Sequence, residues 1–227
     1  MKHGKKYVEA KKLVDSTKKY SISEAVELAK KVAYTKFDPT LEVHVQTNAN
    51  PKYNDQNLRW TVVLPHGTGK SVKVAAFVSD DKIEEAKKAG ADIAGNVDLL
   101  QQIESGNIDF DVLVTTPDMM RDLAKVARVL WPKGLMPSPK AGTVTPKLSD
   151  TISEIKKGRV EFKLDKGGVV HVGVGKVKGF DASALEENIK SLIDALNAAK
   201  PSGVKGQLIK KVYIAPSMWP SIQLSVN

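Results

Sequence analysis

VKVAAFVSDDKIEEAKKAGADIA, residues 72–94, decides how the middle of this 227-residue chain folds. The apolar run from Val72 to Val78 is too short for a helix and rich enough in valine for a buried strand. It gives way to a helical segment from Asp80 to Ala89, stopped by Gly90, and Ala91 to Ala94 opens a second apolar run. The rhythm then repeats. A helix from Val97 to Ser105 ends at Gly106, Asp111 to Thr115 makes a third strand, and Pro117-Asp118 starts another helix. Short strands alternating with helices predict a parallel α/β sheet. Gly- and Pro-rich sequence from Trp131 to Pro146 reads as a long loop, and a last helix ends near Lys157-Gly158.

Outside this stretch the pattern is different. Residues 5–15 read as a helix, and Ser21-Ile22-Ser23-Glu24 has the spacing of a capping box ahead of Ala25, Leu28, Ala29 and Val32. Leu41, Val43 and Val45 alternate with Glu42, His44 and Gln46, the period of a half-buried strand, and Trp60 to Leu64 forms another. On the far side, Arg159 to Leu164 and Val169 to Val174 flank Asp165-Lys166-Gly167-Gly168, which predicts a tight hairpin. A long amphipathic helix from Ser183 to Ala199 follows, then strands from Leu208 to Ala215 and Ser221 to Val226. The two ends together describe an antiparallel α+β body.

Charge divides the chain at the same places. Residues 1–66 carry 12 Lys/Arg against 7 Asp/Glu, residues 67–158 carry 13 of each, and residues 159–227 carry 10 against 6. The whole excess of +9 therefore belongs to the ends. The expectation is two domains: a discontinuous α+β domain from 1–66 and 159–227 with a polyanion-binding surface, and an inserted parallel α/β domain from 67–158. Each is long enough to bury a core. A basic surface on the first calls for a polyanion. So few aromatic residues favour phosphate contact over base stacking. The absence of cysteine excludes disulfides and thiolate metal sites, and points to a reducing, cytoplasmic setting. No run reaches the ~20 apolar residues that span a bilayer.

Familiar chemistry is missing. His66-Gly67-Thr68-Gly69-Lys70-Ser71 ends like a phosphate-binding loop, but Leu64 stands where that loop needs its first glycine. The better reading is a flexible crossing between domains, paired with a second at Lys157-Gly158. Ser79-Asp80-Asp81 puts carboxylates where a dinucleotide phosphate would approach. His3, His44, His66 and His171 are scattered, with no metal-ligand spacing. No catalytic residue, metal or cofactor is expected.

Several ordered motifs carry a resemblance. They are Lys2-His3-Gly4-Lys5, Lys36-Phe37-Asp38, Val62-Val63-Leu64-Pro65-His66-Gly67, Gly90-Ala91-Asp92, Thr116-Pro117-Asp118-Met119-Met120, the segment from Trp131 to Thr145, and Gly158-Arg159-Val160-Glu161-Phe162. Together they resemble the ribosomal protein L-one family of the large subunit's mobile side stalk, over essentially the whole chain. The resemblance implies a non-enzymatic ribosomal protein whose discontinuous domain, 1–66 with 159–227, is the RNA-binding one and holds rRNA, whose inserted domain, 67–158, is Rossmann-like, and which assists release of deacylated tRNA from the exit site. It further implies a translational repressor that binds its own mRNA, and a cytoplasmic protein monomeric outside the ribosome. The RNA contacts it implies are Lys36, Phe37, Thr40, Lys166, His171, Ser217, Met218 and Trp219. Their chemistry suits RNA: lysines neutralise phosphates, hydroxyls meet ribose 2′-OH groups, and Phe37 and Met218 pack on sugars or bases. A core position is the other reading of Phe37.

The sequence departs from the family at Trp60, Trp131 and Trp219, all its tryptophans, where glycine is usual in loops that approach RNA closely. At Trp219 the indole either stacks on a base or blocks docking. Two other functions remain open at this point: an α/β enzyme using the middle strands, and nonspecific nucleic-acid binding.

Overall fold

The computed structural model describes residues 4–33 and 35–225. Val226, Lys2 and His3 fall outside them. Chain order is α1 (Lys5–Lys12), α2 (Ile22–Val32), β1 (Thr40–Thr47), β2 (Arg59–Val63), β3 (Val74–Phe77), α3 (Ile83–Lys88), β4 (Ile93–Gly95), α4 (Val97–Glu104), β5 (Val112–Thr115), α5 (Met120–Leu123), α6 (Ala127–Lys133) and α7 (Leu148–Lys156). It continues through β6 (Arg159–Lys163), β7 (Val169–Lys176), α8 (Ala182–Ala198), β8 (Ile209–Pro216) and β9 (Ile222–Leu224). The fold is mixed α and β. Two compact units are distinguished, one from residues 1–69 with 160–227, the other from Lys70–Arg159.

In the first unit a four-stranded antiparallel sheet runs β7-β1-β8-β9. Leu41, Val43, Val45 and Thr47 of β1 are buried, and Thr40, Glu42, His44 and Gln46 turn to the other face. The buried face meets two amphipathic helices. From α2 come Ala25, Val26, Ala29 and Val32, and from α8 come Leu185, Ile189, Leu192, Ile193 and Leu196. The start of α2 is fixed by a reciprocal cap, in which Ser21 Oγ accepts from the Glu24 amide and the Glu24 carboxylate accepts from the Ser21 amide. With both helices on one side, the other side of the sheet stays open to solvent.

The expected hairpin is only half formed. Asp165 N–H donates to Val169 O at 2.9 Å, and Leu164 bridges Val170, so the turn is tight. Gly168 takes φ 76° there, while Gly167 does not need a positive angle. Beyond the turn, however, β6 pairs with β2 in a separate two-stranded sheet and β7 pairs with β1. Period-2 alternation identifies a strand without naming its partner.

The second unit has a three-stranded parallel sheet, order β4-β3-β5. Central β3 is buried on both faces, which explains its unbroken apolar run. Ala75 and Phe77 pack with Leu99, Ile103, Leu123 and Leu130 of α4, α5 and α6. Val74 and Ala76 pack with Ala86, Leu148, Ile152 and Ile155 of α3 and α7. The Gly/Pro-rich stretch is not wholly a loop: α6 carries helix through Trp131 and Pro132 to Lys133, and Val144 bridges Thr115 at the sheet edge. Trp60 lies within β2, in the strand that the sequence predicts from Trp60 to Leu64.

The expected flexible crossing at residues 66–71 is instead anchored over its first half. Fully buried Asn188 of α8 accepts from the His66 amide at 3.1 Å and donates to Gly67 O at 3.0 Å and Val174 O at 2.8 Å. His66 Nε2 also meets Glu187 Oε2 at 2.6 Å.

Candidate nucleic-acid interface

Residues from three separate parts of the sequence meet on the open sheet face. The Ser217 amide donates to Thr40 O at 2.9 Å, and Ser217 Oγ donates to Glu42 Oε1 at 3.1 Å. Next along β1, His44 Nε2 stands 3.8 Å from Glu42 Oε2, and His44 Nδ1 lies 2.8 Å from His171 Nδ1. His171 Nε2 in turn approaches Asp165 Oδ2 at 3.3 Å. A continuous polar line, Ser217–Glu42–His44–His171–Asp165, thus crosses β8, β1 and β7. The β1/β7 register, with His44 opposite His171, is what brings together histidines that looked scattered.

Backbone geometry holds each end. The Val169 amide donates to Asp165 Oδ1 at 2.7 Å and holds its carboxyl below the usual carboxylate range, with further help from His171 and the Gly167 amide. Burial, then the His171 charge, pushes His44 below an ordinary imidazole against the pull of Glu42. At the other end Lys176 Nζ donates to Thr40 Oγ1 and Asp38 O, each at 3.2 Å. Opposite Glu42 stands Gly173, where an added Cβ would come within 3.1 Å of Thr40 Cγ2, so the floor of the face stays flat.

The remaining expected contacts flank this line. Lys36 and Phe37 lie on the loop into β1, both exposed; Phe37 is 51% exposed, which removes the core reading. Asp38 fixes that loop by accepting from the Lys178 and Gly179 amides. Lys166 sits at the exposed tip of the β6–β7 turn. In the tail, the Trp219 amide closes a turn on Pro216 O at 3.0 Å, and Met218 takes φ 73° with 81% of its surface exposed. Trp219 itself packs, partly buried, against the core of the first unit. Met218 is therefore the tail's accessible apolar group, and the indole is partly withdrawn from stacking.

Sequence reasoning missed Glu42, His44 and Lys176 as members of this face. The first two were visible as the polar side of an alternating strand, but their neighbours on β7 and β8 were not. Lys211 and Tyr213 of β8 also face the same side, opposite Gln46 and His44.

The second unit holds a shallow cavity of about 460 Å³ between α4 and α5, lined by Asn96, Gln101, Glu104, Met119, Asp122 and Lys125. Lys125 is paired with Asp122 at 3.1 Å, and the two carboxylates oppose a phosphate there. Among the described residues, no three His or acidic side chains converge as a metal site would need.

The comparison with known proteins decides the family. Residues 29–220 match the family model described as the ribosomal protein L1p/L10e family. The chain belongs to that family. It is 50% identical over 223 residues to the large ribosomal subunit protein uL1 of Kosmotoga olearia, covering 98% of this chain and 96% of the relative. It is 51% identical over 224 residues to the protein of the same name from Thermosipho africanus, with the same two coverages. The Fervidobacterium nodosum protein of that name is 50% identical over 227 residues, 100% of this chain and 96% of the relative. A member of this family is a structural protein and not an enzyme, which closes the enzyme alternative.

Proposed function

We propose that the chain is a structural component of the large ribosomal subunit in the cytoplasm, binding rRNA at the mobile side stalk through the open sheet face. The RNA-binding domain is 1–66 with 159–227, and 67–158 forms an inserted Rossmann-like domain. The observation that carries this reading is the polar line from Ser217 to Asp165, which joins residues from both chain ends on one unobstructed face. Hydroxyls, imidazoles and carboxylates in a row suit ribose 2′-OH and base-edge contacts, while Lys36, Lys166 and Lys176 around them suit phosphates. Lys36, Phe37, Thr40, Lys166, His171, Ser217 and Met218 make the contacts, and Trp219 supports the turn that presents Met218.

Two further roles follow from the family resemblance. The protein assists departure of deacylated tRNA from the exit site, and it represses translation by binding its own mRNA. One face serves rRNA and mRNA, so the two compete, and repression sets in when protein exceeds free rRNA.

Salt dependence tests the binding mode. If about six phosphates are neutralised, log affinity for the stalk-junction RNA falls against log salt with a slope near −5, and a random duplex binds more weakly. A flat salt response, or equal affinity for both RNAs, would refute specific rRNA binding.

A further inference from the structure

Two imidazole nitrogens 2.8 Å apart hold one proton between them. His44 Nδ1 and His171 Nδ1 are at that distance across β1 and β7. A neutral ring has one N–H and one bare nitrogen, so one ring donates and the other accepts. The outer nitrogens assign the roles. His171 Nε2, 3.3 Å from Asp165 Oδ2, donates its proton there, which leaves His171 Nδ1 bare to accept from His44. His44 Nε2 is then bare beside Glu42 Oε2 at 3.8 Å, lone pair facing carboxylate. One added proton turns this repulsion into attraction. A second would set N–H against N–H across the pair. The cluster therefore takes up one proton and resists another.

Other charges around the pair are few. On β8, Tyr213 is opposite His44 and Lys211 opposite Gln46, and beyond Tyr213 on β9 comes neutral Gln223. On β7 the next ionisable group is Lys176, bonded to Thr40 at the far end of the face. The β6–β7 turn contributes Asp165 and exposed Lys166.

We infer that His44, held against His171 by the β1/β7 register, is the protonation site of this face, so that RNA docking takes up one proton at the His44–His171 pair. The inference rests on the RNA-binding reading above. Docking brings phosphates toward the pair and removes water from Glu42 and Asp165, and both changes favour a cation between the two acids. In the free protein, burial and the neighbouring imidazole hold His44 below its ordinary value. The RNA-bound form thus keeps a proton that the free form releases. The sign follows from linkage: a complex that binds more protons gains affinity as pH falls, with log affinity against pH sloping between 0 and −1. Affinity at pH 6.0 should exceed that at pH 7.5 by about three- to tenfold at constant ionic strength.

The full chain titrated with stalk-junction RNA from pH 5.5 to 8 provides the test, with His44→Gln, His171→Gln and, as control, His66→Gln, whose ring pairs with Glu187 of α8. The expected result is a negative slope in the parent protein and in His66→Gln, lost in His44→Gln and His171→Gln. Salt-dependent but pH-independent binding by the parent protein, or a slope that survives His44→Gln, would overturn the inference while leaving RNA binding in place. No binding at any pH would refute the RNA-binding reading and this inference with it. Imidazole nitrogen NMR on the unsubstituted protein avoids any folding defect of the variants. Titration of the pair should move up by at least about half a unit on RNA addition, and no movement would overturn the inference.

Discussion

Met218 holds the least comfortable backbone on the proposed RNA face. Its φ of 73° at the third position of the Pro216–Trp219 turn lies where a side chain costs about 1 kcal/mol or more, and glycine would not. An exposed apolar residue kept in such a conformation fits a contact made to a partner, since the free protein gains nothing from it. Met218→Ala should therefore leave thermal stability unchanged and weaken junction-RNA binding. Met218→Gly should weaken binding similarly while changing stability by between zero and about +1 kcal/mol, turn relief being partly offset by unfolded-state entropy. Melting curves beside binding isotherms check both; unaltered affinity in both variants would remove Met218 from the interface. At this scale the sequence was informative about residue chemistry and silent on partners. The family resemblance implies Thr40 and Ser217, but Glu42, which joins Ser217 to the histidines, is not legible from local sequence, because a contact between positions 42 and 217 exists only through the β1/β8 pairing. Trp60 and Trp131 stay 55% and 69% exposed, and nothing in the structure explains why tryptophan occupies those positions.

Helices were more legible than strand pairings. The capping box before α2 and the apolar stripe of α8 are local signals, and both appear where the spacing predicts. Strand partnership depends on long-range register, so the segment ahead of the Asp165–Gly168 turn read as half of a hairpin although its partner is β2. The Pro-rich stretch misled for a local reason: Pro132 sits in the last turn of α6, where losing one N–H matters little to an exposed helix end. Asn188 is the clearest element-level dependency. It is fully buried in α8, and its amide satisfies the His66 N–H and the Gly67 and Val174 carbonyls. Asn188→Ala strands three polar groups, and a loss of roughly 3 kcal/mol is expected in urea unfolding. A loss below about 1 kcal/mol would mean that water replaces the amide and that the segment from His66 to Gly69 is not held by α8.

For the molecule as a whole, the excess of basic residues at the two ends and the balance in the middle acquire a physical meaning. Both ends build one sheet whose helices all lie on its buried face, leaving Thr40, Glu42, His44, His171 and Ser217 accessible together. The middle builds a parallel sheet covered on both faces, which leaves it no comparable open surface. Placing RNA affinity in the two-ended unit is the central claim, and replacing residues 70–159 with a short flexible linker tests it most directly. Affinity of this shortened chain for the stalk-junction RNA would be measured against that of the full chain, with cooperative melting as proof that the remaining unit folds. Affinity within about tenfold of the full chain, or 1.4 kcal/mol, is the predicted result. A cooperatively folded variant that has lost about a hundredfold or more would contradict the account and assign the RNA site to the inserted unit.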